Sequence, residues 1–150
     1  MNAPLLLVES DDLVRESLGR ALRSEGFDVL AVSDCQQAFQ RLTEGHVFLI
    51  ILDLDSPSHD GWAEAQRLAS KRAFRPMVVI TARTGQERWA AEAGVEVLME
   101  KPLSLPTLVD TIKELLDQVL QAQIPLRERA GALGVPVPAG PMPGLSLGTL

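Results

Sequence analysis

Four polar stretches of this chain each stand where a short apolar run stops. Glu9-Ser10-Asp11-Asp12 follows Leu5-Leu6-Leu7-Val8, and Asp53-Leu54-Asp55 follows Phe48-Leu49-Ile50-Ile51-Leu52; Thr81 follows Met77-Val78-Val79-Ile80, and Glu100-Lys101-Pro102 follows Val95 to Met99. Together these positions offer carboxylates, a hydroxyl and an ammonium. Carboxylate and carbonyl oxygens suit Mg2+, while Thr and Lys can balance charge on phosphoryl oxygens, so the set matches what phosphoryl chemistry with a divalent cation requires. Taken singly, each position has a plainer explanation. Ser10, Asp11 and Asp12 read as helix caps, Asp53 as a loop carboxylate, Thr81 as an ordinary strand-end residue and Lys101 as a solvated charge. Their conjunction at strand ends is what points to a site. His46 and His59 have no partner at metal-ligand spacing, and Cys35 lacks neighbours that would make it a nucleophile.

The elements that must position these residues alternate regularly. Leu5 to Val8 is a first strand, and Leu13, Val14, Leu18, Ala21 and Leu22 recur at helical spacing until Gly26. Phe27 to Ser33 reads as a second strand, with Asp34 capping a helix from Cys35 to Glu44 that Gly45 closes. The run ending at Asp53 is the third strand, followed by the turn-formers Pro57, Asp60 and Gly61 and a helix to about Arg72. Met77 to Thr81 is the fourth strand, Gly85 to Ala93 a short helix, Val95 to Met99 the fifth strand, and a last helix runs from about Ser104 towards Ala122. Trp62 and Trp89 read as packing residues. Strict strand-helix alternation predicts an α/β fold with a parallel sheet, right-handed crossovers and helices on both faces. Ligand sites of such sheets lie at the carboxyl edge of the strands, which is where all four polar stretches fall.

Composition agrees with a single α/β domain. The chain has 150 residues, of which 46% are hydrophobic, enough for a real core. A net charge of −6 with no basic patch argues against a nucleic-acid surface. No run is long enough to span a bilayer, Met1-Asn2-Ala3-Pro4 does not start a signal peptide, and a lone cysteine allows no internal disulfide. The plain expectation is a soluble cytoplasmic protein, with no membrane partner. From Pro125 onward lie five of the ten prolines and five of the eleven glycines, with no aromatic residue. The expected division is therefore a folded domain over 1–122 and a Pro/Gly-rich flexible tail or linker over 123–150.

Read in order, LLLVESDDLVRESL, IILDLDSPSHDGW, VVITA and LMEKPL resemble the motifs of the CheY-like receiver domains of two-component response regulators, across residues 5 to about 122. The resemblance implies a flavodoxin-like sheet of five parallel strands in the order 2-1-3-4-5. It also implies that Asp53 is the phosphoacceptor, Thr81 the hydroxyl that closes on the phosphoryl group and Lys101 the lysine that pairs with it. Glu9, Asp53 and the backbone carbonyl of Asp55 would hold Mg2+, and the Lys101-Pro102 bond would be cis. The implied function is a phosphorelay signal-transduction component that takes a phosphoryl group from a histidine kinase or phosphotransfer protein and signals by protein-protein contact, as a monomer or weak homodimer.

Three departures bear on that expectation. Ser10 takes the second acidic position, which predicts weak Mg2+ binding. Leu98 stands where the family usually has Tyr or Phe, so no aromatic ring can report the movement of Thr81. The stretch from Thr81 to Gly94 is slightly short. Ser10 and Leu98 support a rival reading as a phosphorylation-independent pseudo-receiver binding module. A second rival, an Asp-x-Asp phosphohydrolase with Asp53 as nucleophile and Asp55 as acid, fits less well, because its motif belongs after a first strand and an acidic motif should follow the lysine. The chain beyond residue 122 is too short for an effector domain, so the sequence reads as a stand-alone regulator or a piece cut in its linker.

Overall fold

A computed structural model describes residues 4–55, 60–73 and 75–122. The expected tail over 123–150, the N-terminal residues 1–3 and the turn residues Pro57 and His59 lie outside the described residues. Five strands and five helices alternate: β1 Leu5–Val8, α1 Asp12–Ser24, β2 Val29–Val32, α2 Cys35–Glu44, β3 Leu49–Asp53, α3 Gly61–Lys71, β4 Met77–Thr81, α4 Glu87–Ala93, β5 Val97–Glu100 and α5 Leu105–Ala122. All pairings are parallel, as alternation predicts, and the sheet order is β2-β1-β3-β4-β5, the flavodoxin-like arrangement that the family resemblance implies.

Successive strand residues point to opposite faces, so each strand feeds two cores. On one face Leu6, Val8, Ile50, Leu52 and Val79 pack with Ala38, Leu42, Leu68 and Ala90, which brings α2, α3 and α4 to that side. On the other, Leu5, Leu7, Leu49, Ile51 and Ile80 pack with Leu22, Leu108 and Ile112 from α1 and α5. Burial on both faces explains why β1, β3 and β4 read as unbroken apolar runs. The strand order also sets the site. The ends of β1, β3 and β4 lie side by side at one edge, with Val8 beside Leu52 and Asp53 beside Ile80.

Several boundaries differ from the sequence expectation for local reasons. Phe27 is not in β2, because its N–H bonds back to the Leu22 carbonyl as part of the exit from α1, and the Ser33 N–H goes to the Gln37 side chain. Val95 belongs to the exit of α4 in the same way, with its N–H on the Ala90 carbonyl. The fourth helix begins at Glu87, not Gly85, since Gly85 has a φ of 69°, outside the helical region. Trp62 is packed as expected, but Trp89 is 49% exposed and is no core residue.

Candidate functional site

Asp53 ends β3 and its side chain is only 6% exposed. One carboxylate oxygen, Oδ1, accepts the Asp55 N–H at 2.8 Å, and the other, Oδ2, lies 2.8 Å from Lys101 Nζ. Lys101 reaches it from the end of β5, where its own N–H is anchored to the Thr81 carbonyl at 2.8 Å and its peptide bond to Pro102 is cis. Gly61 lets the chain return close by. A Cβ at this position would collide with the Leu54 carbonyl oxygen, so only glycine lets α3 start so near the residue that follows Asp53. Asp60 caps that helix by accepting the Trp62 and Ala63 N–H groups.

Glu9 comes to the same place from the end of β1. It is 4% exposed, its Oε2 accepts the Asp11 N–H at 3.1 Å, and its backbone carbonyl accepts from Arg15 at 3.0 Å. Its carboxyl meets that of Asp53. Burial first, and then the hydrogen bond to Asp53, push Glu9 up to about 7, with the Asp11 N–H opposing them. Asp11 itself is the N-cap of α1, accepting the Leu13 and Val14 N–H groups, so the capping explanation holds for it. Ser10 is exposed and lines a small cavity with Asp53, Asp34, Cys35 and Glu64. In that setting burial and the neighbouring Glu64 push the Cys35 thiol up, away from the thiolate form.

Thr81, fully buried at the end of β4, donates its hydroxyl to Asp55 Oδ1 at 2.8 Å. The same hydroxyl oxygen accepts the Arg83 N–H at 3.0 Å. Asp55 Oδ2 accepts the Ala82 N–H at 2.7 Å and lies 3.2 Å from Lys101 Nζ, while Arg83 Nε is 3.8 Å from Oδ1. Burial alone would raise the Asp55 carboxyl, but Ala82, Thr81 and Lys101 together hold it below the usual carboxylate range. Burial likewise works against the charge on Lys101, and the two aspartates outweigh it and raise its pKa.

The structure thus brings Glu9, Asp53, Asp55, Thr81 and Lys101 to one edge, in two groups that Lys101 joins. Glu9 and Asp53 form a pair of buried carboxyls, a crowding of like charge that a divalent cation would relieve. Among the described residues no three His, Cys, Asp or Glu side chains are placed to hold a metal, because the Asp55 carboxylate faces Thr81 and Lys101 instead. Two carboxylates with the remaining positions left to water still fit Mg2+, which keeps several waters when protein-bound. Leu98 is half-buried opposite Val79 in the ladder. Two groups escaped the sequence reading, the Ala82 N–H and the Arg83 guanidinium. Their only signal was position directly after Thr81.

The chain matches the family described as the response regulator receiver domain over residues 5–113. It is 33% identical over 114 residues to the transcriptional regulatory protein BasR of Escherichia coli, covering 75% of this chain and 51% of that one. The chain spans about half the length of the curated relatives it matches. Among solved structures, a CheY-like receiver domain protein from Methanospirillum hungatei superposes with a TM-score of 0.74 at 20% identity, over 81% of this chain and 99% of that one. A response regulator protein from Thermotoga maritima, determined in complex with Mg(2+)-BeF, has a TM-score of 0.67 at 22% identity, over 77% of this chain and 99% of that one. Both structural likenesses concern the fold.

Proposed function

Since this chain belongs to the response regulator receiver domain family, we propose that Asp53 accepts a phosphoryl group from a histidine kinase or a phosphotransfer protein and that the protein passes the signal on by protein-protein contact. The observation that carries this reading is the contact of Asp53 Oδ2 with Lys101 Nζ at 2.8 Å beside the buried Thr81 hydroxyl, at the carboxyl edge of the sheet. In the transfer an Asp53 oxygen attacks phosphorus, the donor's P–N bond breaks, and the histidine nitrogen leaves with the electron pair. Lys101 and the donors beside it offset charge on the transferred oxygens.

Glu9 and Asp53 would hold Mg2+ through carboxylate oxygens, with the Asp55 carbonyl as a further ligand; bound there, the cation offsets charge on the phosphoryl oxygens as they arrive. Ser10 offers a neutral hydroxyl where a carboxylate would otherwise serve, so the ion is held weakly. Residues 1–122 are the receiver domain and 123–150 a tail or linker. Partner contact uses the fourth and fifth helical regions, with Glu87, Arg88 and the exposed Trp89 on α4, on a monomer or weak homodimer. No described helix is long and apolar enough to cross a membrane.

Incubation with Mg2+ and acetyl phosphate, followed by intact mass, tests the reading. The expected result is a mass gain of one phosphoryl group that Asp53→Asn abolishes. An unmodified parent protein at saturating Mg2+ would replace this reading with the phosphorylation-independent binding module, the alternative that Ser10 and Leu98 favour.

A further inference from the structure

The side chain of Asp55 occupies a place that a metal-facing backbone carbonyl does not call for. Its two oxygens collect the Thr81 hydroxyl at 2.8 Å, the Ala82 N–H at 2.7 Å and Lys101 Nζ at 3.2 Å, with Arg83 Nε at 3.8 Å. A backbone N–H, a hydroxyl and an ammonium converging on one point, at the rim of a strand edge, make a cradle for oxyanions. The cradle is filled by the protein's own carboxylate.

A turn residue serving as counter-ion to Lys101 would be the simpler explanation, but Lys101 already has Asp53 as a closer partner. Nor does a turn require the side chain, because the local turn is made by the Asp55 N–H on Asp53 Oδ1. Two of the cradle's donors cannot serve two anions at once. Thr81 has a single hydroxyl hydrogen and Ala82 a single N–H, and both are spent on Asp55. A phosphoryl group on Asp53 brings nearly two negative charges to the spot where a carboxylate stands, and a partly buried setting screens that repulsion poorly.

We propose that Asp55 is a resident competitor of the phosphoryl group, holding the oxyanion cradle of Thr81, Ala82 and Lys101 until transfer to Asp53 displaces it. The proposal rests on the reading of Asp53 as phosphoacceptor. Phosphorylation then requires the Asp55 side chain to turn out of the cradle, which slows transfer, while the Asp55 N–H keeps its bond to Asp53.

Two measurements on the parent, Asp55→Ala and the near-isosteric Asp55→Asn test it, the first without any phosphoryl transfer. Inorganic phosphate is titrated into metal-free protein and the Ala82 amide resonance is followed. Phosphate should bind roughly tenfold or more tightly to Asp55→Ala than to the parent, with Asp55→Asn in between because it keeps an acceptor for Thr81 without the charge. Equal phosphate responses in all three proteins overturn the proposal. The second measurement is the rate of Asp53 modification by acetyl phosphate with Mg2+, in which an O–P bond to Asp53 forms and acetate leaves with the electron pair. A roughly tenfold faster rate in Asp55→Ala is expected. An unchanged or slower rate overturns the competitor role, since the side chain would then not oppose transfer. If Asp53 is modified in none of the three, the phosphoacceptor reading fails, and the phosphate titration alone decides whether Asp55 fills an anion site.

Discussion

Two buried carboxyls meeting at the end of β1 and β3 make Glu9 the proton-sensitive member of the site. Its pKa is about 7 in the folded protein against 4.5 ordinarily, through burial and the hydrogen bond to Asp53. The folded state therefore binds more protons than the unfolded chain between these values, and metal-free stability must fall as pH rises from 4.5 through about 7. The expected loss is on the order of 1–3 kcal/mol, and Glu9→Gln should flatten it. Thermal melts of both proteins across this window check the slope; a parent curve as flat as that of Glu9→Gln would disprove it. Mg2+ and the proton compete for the same oxygens, so metal affinity should climb with pH and level off above about 7. Ser10→Asp should tighten it by roughly ten- to a hundredfold, which calorimetric titration would show, and no gain would mean Ser10 is not at a metal position. Asp53, Thr81 and Lys101 were legible in the sequence because each punctuates an apolar run. The direction of the Asp55 side chain was not, because it depends on where β4 and β5 deliver the Ala82 N–H and Lys101 Nζ, which no local pattern encodes.

Among the helices, α3 starts hard against the residue that follows Asp53. Its first residue, Gly61, lies so close to the Leu54 carbonyl that a methyl group would have to push backbone against backbone. Gly61→Ala should therefore cost on the order of 2–3 kcal/mol of stability and displace the loop that carries Asp55. Denaturant unfolding measures the first effect and the Ala82 amide resonance the second. A stable variant with an unmoved resonance would show that α3 can shift without the site noticing. Across the same face, Trp62 Nε1 donates to Gln86 Oε1 at 2.7 Å, linking α3 to the entry of α4. Existence and type of all ten elements could be read from period and caps, with Asp34 and Gly45 marking α2 at both ends. The edges of β2, α4 and β5 could not. There the deciding events are single hydrogen bonds, from Phe27 to Leu22 and from Val95 to Ala90, and the positive φ of Gly85.

The last described helix, α5, bears on where the folded unit stops. The face of α5 that carries Leu108, Val109, Ile112, Leu115, Leu116 and Val119 is buried, and its first five members close the core on the α1 side of the sheet. Among the described residues those side chains are the last along the chain to join the apolar packing. The remaining sequence is rich in proline and glycine and shows no apolar period, which gives the expectation tested by two truncations. Ending the chain after Gln123 should change the melting temperature by less than about 2 °C, since a shift that small corresponds to a few tenths of a kcal/mol in a domain of this size. Ending it after Glu114 removes Leu115, Leu116 and Val119, each worth about 1.5–3 kcal/mol of burial, and should leave little folded protein. Circular dichroism melts of the two proteins are enough. A large loss in the longer one would place part of residues 124–150 against the domain and move its boundary beyond 122.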